Sequence, residues 1–129
     1  MSIEFVAPQT TGEMLAWIVA LITMLVGLAL MIIPRRFGYL LGMTARNPAG
    51  ISEIRGAFGG SWAGIALGAL LLAQPWIYLS MGLGFIFMVI GRLVSFIADK
   101  SLSRQTVAAT VIEATGAFFL IAYPLQIIP

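Results

Sequence analysis

Apolar positions gather into four long runs separated by short polar connections. The first, Leu15 to Ile33, carries no charge and stops at Pro34, which has no amide hydrogen with which to continue a helical ladder. Asn47 followed by Pro48 reads as an N-cap and first helical position, so a second helix is expected over about 48–73, closed by Gln74-Pro75. A third run covers about 76–98. Ser101 to Ser103 supply caps for a fourth over about 104–123, where Pro124 ends or kinks it and leaves the apolar tail Leu125 to Ile128 near a membrane surface. Each run has about the 20 residues that a bilayer crossing requires. The pattern predicts an all-α fold: an integral membrane four-helix bundle, with residues 1–129 as a single transmembrane domain.

Composition supports that reading. Of 129 residues 60% are hydrophobic and 9% charged, with a mean hydropathy of +1.04, whereas a soluble domain needs about a quarter to a third of its surface charged. The first run lacks a basic leader and a small-residue cleavage site before Pro34, so it is expected to stay in the mature protein. The chain has no Cys and no His, which removes disulfides, thiolate or imidazole metal sites and histidine-based nucleophile pairs. No catalytic residue, metal or cofactor is assigned, and the chain is read as a non-enzyme. A net charge of +2 gives no reason to invoke nucleic acid.

The few charges orient the bundle. Arg35, Arg36, Arg46 and Arg55 fall in or beside the first connection, Lys100 and Arg104 in or beside the third, and Arg92 near the end of helix three that meets it. All seven basic residues thus lie on one side, and the positive-inside rule makes that side cytoplasmic with both termini outside. Glu4 and Glu13 on the other side agree. Trp17, Trp76 and Tyr78 fit an aromatic belt at the outer interface or packing in the bundle.

Helix two carries Gly56, Gly60, Gly64 and Gly68, one every four residues, which at about 100° per residue form one narrow stripe. Such stripes let helix backbones approach closely in lipid, either within the bundle or across a dimer face. Charges inside spans are expensive and usually face protein or a cavity. Arg92 and Glu113 sit at depths within about 5 Å of each other, counted at 1.5 Å per residue, so a pair is feasible. Glu53 shares the glycine stripe, and Asp99 lies two turns from Arg92 on one face. These residues predict a polar cluster of Glu53, Arg92, Asp99 and Glu113, joined by Arg55 unless it reaches headgroups or a neighbouring loop. The cluster serves either as an ion-pair network fixing three helices or as a site for a proton, an anion or a lipid headgroup.

Glu53-Ile54-Arg55-Gly56-Ala57-Phe58 and Glu113-Ala114-Thr115-Gly116-Ala117-Phe118 share Glu, Gly, Ala and Phe at an offset of 60, compatible with two duplicated helical hairpins or with coincidence in a Gly-rich chain. The run Glu53 to Gly60, of form Glu-x-Arg-Gly-x-Phe-Gly-Gly, followed by Arg92, Asp99 and an intramembrane Glu113, resembles a domain-of-unknown-function family of small four-helix bacterial membrane proteins. The likeness covers most of the chain and departs at Lys100, where the family pattern has a small residue. The resemblance implies the fold and a bacterial inner membrane, and brings no activity. Beside the bilayer itself, the expected partners are other membrane subunits or further copies of the chain. Two functions follow: a packing or accessory protein of a membrane complex, or a small proton-coupled transporter or channel using the Arg/Glu cluster. Four helices barely enclose a path, which favours the first.

Overall fold

The computed structural model describes residues 4–129, and among the described residues the regular structure is entirely helical. Five helices follow one another: α1 (Thr11–Ile32), α2 (Pro34–Leu40), α3 (Pro48–Leu72), α4 (Pro75–Ala98) and α5 (Arg104–Ala122). All but α2 are long and apolar enough to cross a membrane. Their 22, 25, 24 and 19 residues correspond to about 28 to 38 Å at 1.5 Å per residue, matching a hydrocarbon core of about 30 Å.

The boundaries follow local chemistry. Asn47 Oδ1 accepts from Gly50 N at 2.9 Å with Pro48 at the first position of α3, and Ser103 and Thr106 form a reciprocal capping box at α5. Ala73 closes α3 in the left-handed region at φ 47°. Lys100, at φ 50°, turns the chain between α4 and α5. That conformation is costly for a side chain with a Cβ. Pro34 does more than end α1: with no amide to leave unpaired, it opens the short α2, which the hydropathy pattern had merged into a connection.

α1 packs on α3 and α5, and α4 packs chiefly on α5, giving two hairpins joined through α1. The core lies at the end away from the basic residues, where Ala16 and Ala20 of α1 meet Ala66 and Ala69 of α3, Tyr78 and Met81 of α4, and Leu120 of α5. Of the described residues between Gly82 and Gly116, none is buried, so the two hairpins share a core only over part of their length.

The glycine stripe does not pack within the chain. A Cβ added to Gly56, Gly64 or Gly68 would meet nothing within 4 Å, and one on Gly60 only the backbone of its own helix. The close contact with α1 is made instead by Gly59: its added Cβ would lie 2.8 Å from Gly27 O, and one on Gly27 would lie 2.5 Å from Ala63 N. The cause is the stretch Ile54–Gly60, which is π-helical. Bonding from i to i+5 turns residues five apart toward one face, so Ile54 and Gly59 are both buried before the α-helical spacing resumes at Ala63, Ala66 and Ala69. A uniform 100° per residue cannot locate that face.

Two aromatic expectations separate. Trp76 is exposed, as a belt residue would be, but Tyr78 is fully buried in the core, edge-on to Tyr123 at 5.9 Å. Among the described residues its hydroxyl has no hydrogen-bond partner. An unsatisfied buried hydroxyl costs about 1 to 3 kcal/mol, so Tyr78→Phe is expected to stabilise the protein by about 1 kcal/mol, read as a raised thermal unfolding midpoint in detergent. A lowered midpoint would mean that the hydroxyl is bonded in place. Glu13, an orientation marker in the sequence, is also buried. Its carboxylate accepts from Gln9 N at 2.8 Å while Thr10 Oγ1 accepts from Glu13 N at 3.2 Å. The Thr-x-x-Glu spacing at residues 10–13 was the available signal for this cap. Burial, then the nearby Glu13 charge, holds the Tyr123 phenol above its usual range. Beyond it the tail turns back, with Ile127 N donating to Ala122 O at 2.8 Å and Gly12 N to Pro129 O at 3.0 Å.

Candidate functional site

The predicted polar cluster divides into three separate arrangements. Arg92 lies six residues from the end of α4 and Glu113 nine from the start of α5, which brings them level across the α4–α5 hairpin. Arg92 Nε donates to Glu113 Oε2 at 2.6 Å and Arg92 Nη2 to Oε1 at 2.7 Å. Both carboxylate oxygens and two nitrogens on one edge of the guanidinium are therefore engaged in a fork, the strong geometry for this pair. The Glu113 side chain is 13% exposed and that of Arg92 32%. Among the described residues this is the one ion pair.

Asp99 does not join it. Ser95 Oγ donates to Asp99 Oδ2 at 2.8 Å and lies 2.9 Å from Ser101 Oγ, so Asp99 organises the turn out of α4. Glu53 is exposed and, among the described residues, its side chain takes part in no hydrogen bond or ion pair. It stands immediately before the π-helical stretch, whose changed rotation removes it from the face that packs on α1. The expectation that Glu53 faces the bundle is therefore corrected.

Arg55 takes the other course foreseen for it and reaches a neighbouring segment. Its Nη1 donates to Met31 O and, at 3.4 Å, to Ile32 O. These are terminal carbonyls of α1, which lack intrahelical partners and sit at the negative end of the helix dipole. With the offset of 60, Arg92 corresponds to position 32 and Glu113 to position 53. Each hairpin thus has one arginine tie at the corresponding level: α3 to the α1 backbone in the first, α4 to an α5 carboxylate in the second. The environments differ, since Gly116 is buried against Phe85 and Val19 while Gly56 is open.

Among the described residues no group of three or more acidic residues could hold a metal ion. Two small grooves indent the basic end, around Arg35 and Ile51, and neither includes Arg92 or Glu113.

The family described as Domain of unknown function (DUF4345) matches residues 13–123. The chain belongs to this family. The DUF4345 match runs from the buried Glu13 to Tyr123 and so takes in all four spans, the π-helical stretch and the Arg92–Glu113 pair. No curated protein and no solved structure matches the chain.

Proposed function

We propose that this DUF4345 protein is a non-enzymatic packing subunit, which associates through its lipid-facing helix surfaces with further copies of itself or with other subunits of a membrane complex. The observation that carries the reading is the open stripe of Gly56, Gly64 and Gly68, where an added Cβ meets nothing within 4 Å. Glycine in a helix interior costs about 1 kcal/mol relative to alanine, and within this chain those positions gain no close approach in return. A helix from another molecule would supply it. The partly exposed Arg92–Glu113 pair supports the same reading, because intramembrane charges ordinarily face protein. Transport by proton binding is less well supported, since both Glu113 oxygens are already held by Arg92. The proposed setting is a bacterial inner membrane, with the basic end in the cytoplasm and both termini outside.

The native chain lacks cysteine, so Gly64→Cys places a single thiol on the stripe. Mild oxidation in native membranes is expected to give a disulfide-linked dimer, or a stoichiometric partner is expected to co-purify in mild detergent. Ala20→Cys, at a buried position, is expected to give no cross-link. A monomeric Gly64→Cys protein that also purifies alone would reject the reading.

A further inference from the structure

At the basic end, three arginines that the ion pair does not use converge on one groove. Its volume is about 220 Å³ and its lining is Ile33, Pro34, Arg35, Arg36, Ile51 and Arg55. All three arginines are exposed. Among the described residues none of them pairs with a carboxylate, and no acidic residue lines the groove. Arg55 is held in place there, because one of its guanidinium nitrogens donates to the last carbonyls of α1 while the other nitrogens keep their hydrogens free. Arg35 and Arg36 follow Pro34 directly in α2, which fixes the direction in which the chain leaves α1. The remaining wall is apolar.

Fixed guanidinium groups beside an apolar wall, where a spanning helix ends, match a ligand that is anionic at one end and apolar at the other. We infer that this groove binds the phosphate headgroup of an anionic phospholipid, with Arg35, Arg36 and Arg55 as its donors and Ile33, Pro34 and Ile51 against the glycerol and first acyl carbons. Guanidinium suits phosphate because its planar fork can donate two parallel hydrogen bonds. Basic pockets of this kind at helix ends are established headgroup sites in membrane proteins generally. The site is separate from the proposed association face, and neither depends on the other.

Titration of the purified full chain in neutral detergent with phosphatidylglycerol, phosphatidylcholine or inorganic phosphate, read by native mass spectrometry and by the thermal unfolding midpoint, tests the inference. Phosphatidylglycerol is expected to bind at least about tenfold more tightly than phosphatidylcholine. A surface arginine is worth about fivefold in anionic-lipid affinity, so the double variant Arg35→Gln/Arg36→Gln is expected to lose about 30-fold. The matched double Arg46→Gln/Arg104→Gln removes two basic residues that do not line the groove and is expected to lose less than about threefold. Arg35→Lys/Arg36→Lys keeps the charge and should lose less than about fivefold, so a folding defect in the glutamine double would not leave the groove untested. Equal binding of the two lipids, or equal losses in the two glutamine doubles, would overturn the site. If inorganic phosphate protects as well as phosphatidylglycerol at the same concentration, the lipid source is wrong and the ligand is a soluble anion.

Discussion

Gly27→Ala is expected to destabilise the bundle by about 3 kcal/mol or to abolish the folded protein, whereas Gly64→Ala should leave its unfolding unchanged or slightly improved. The added methyl at Gly27 would stand 2.5 Å from Ala63 N, 2.7 Å from Gly59 O and 3.0 Å from Ala63 Cα. These are backbone atoms on the facing helix, so no rotamer change relieves the clash. α1 and α3 must separate, which lengthens every contact along their interface. One inserted methylene in a packed core costs about 1 to 3 kcal/mol when side chains can adjust, and the upper end applies where only backbone can move. Gly59→Ala should behave similarly, with Gly27 O at 2.8 Å and Met31 N at 2.9 Å from the new atom. At Gly116 the nearest atoms belong to the Phe85 ring, at 2.8 Å, which can rotate, so Gly116→Ala should cost less. Unfolding of the four variants by denaturing detergent, followed by circular dichroism, ranks them. A Gly27→Ala protein as stable as the wild type would mean that α1 and α3 do not meet at these glycines.

That ranking separates what the sequence revealed from what it concealed. The four spans were legible because length, hydropathy and caps agree: Pro34, Asn47-Pro48 and Ser103 each mark a boundary that the structure keeps within a few residues. The Arg92–Glu113 pair was legible because its depth depends only on counting from helix ends, which tolerates an error of a residue or two. Facing directions were less secure. They depend on accumulated rotation, and the π-helical turn at Ile54–Gly60 resets it, moving the packing role from Gly56 and Gly60 to Gly59 and detaching Glu53 from the cluster. Capping by Arg55 was foreseen only as contact with a neighbouring loop, since nothing in spacing says which carbonyls an arginine will find. Of the two readings open for Tyr78, belt or packing, burial selects packing, whereas Glu13 was missed as a core residue because acids at helix starts usually face water, and here the folded-back tail lies beside it.

The other large effect is expected at the ion pair. Glu113→Gln leaves Arg92 inside a span without its counter-charge. An arginine at the bilayer centre costs about 2.5 to 3.5 kcal/mol on insertion scales, but this one lies six residues from the end of α4 and keeps 32% of its side chain exposed. It can bend toward the basic end, so a loss of about 2 kcal/mol is expected. Arg92→Gln strands a carboxylate with less reach and more burial, 13% exposed, and should cost at least as much. Removing both partners, as Arg92→Leu/Glu113→Leu, leaves no charge to desolvate and is expected to be close to neutral for unfolding. The exchange Arg92→Glu/Glu113→Arg should recover most of the loss seen in either single charge reversal, because the fork needs one member from each helix and the two stand level. A double-mutant cycle with a coupling below about 0.5 kcal/mol would mean that the observed pairing contributes nothing beyond its separate charges. The leucine double also tests where the pair is directed. If it folds with wild-type stability yet no longer forms the Gly64→Cys cross-link, the charges serve the contact between molecules. If association is unaffected, the fork acts only within the α4–α5 hairpin, and the glycine stripe alone accounts for assembly.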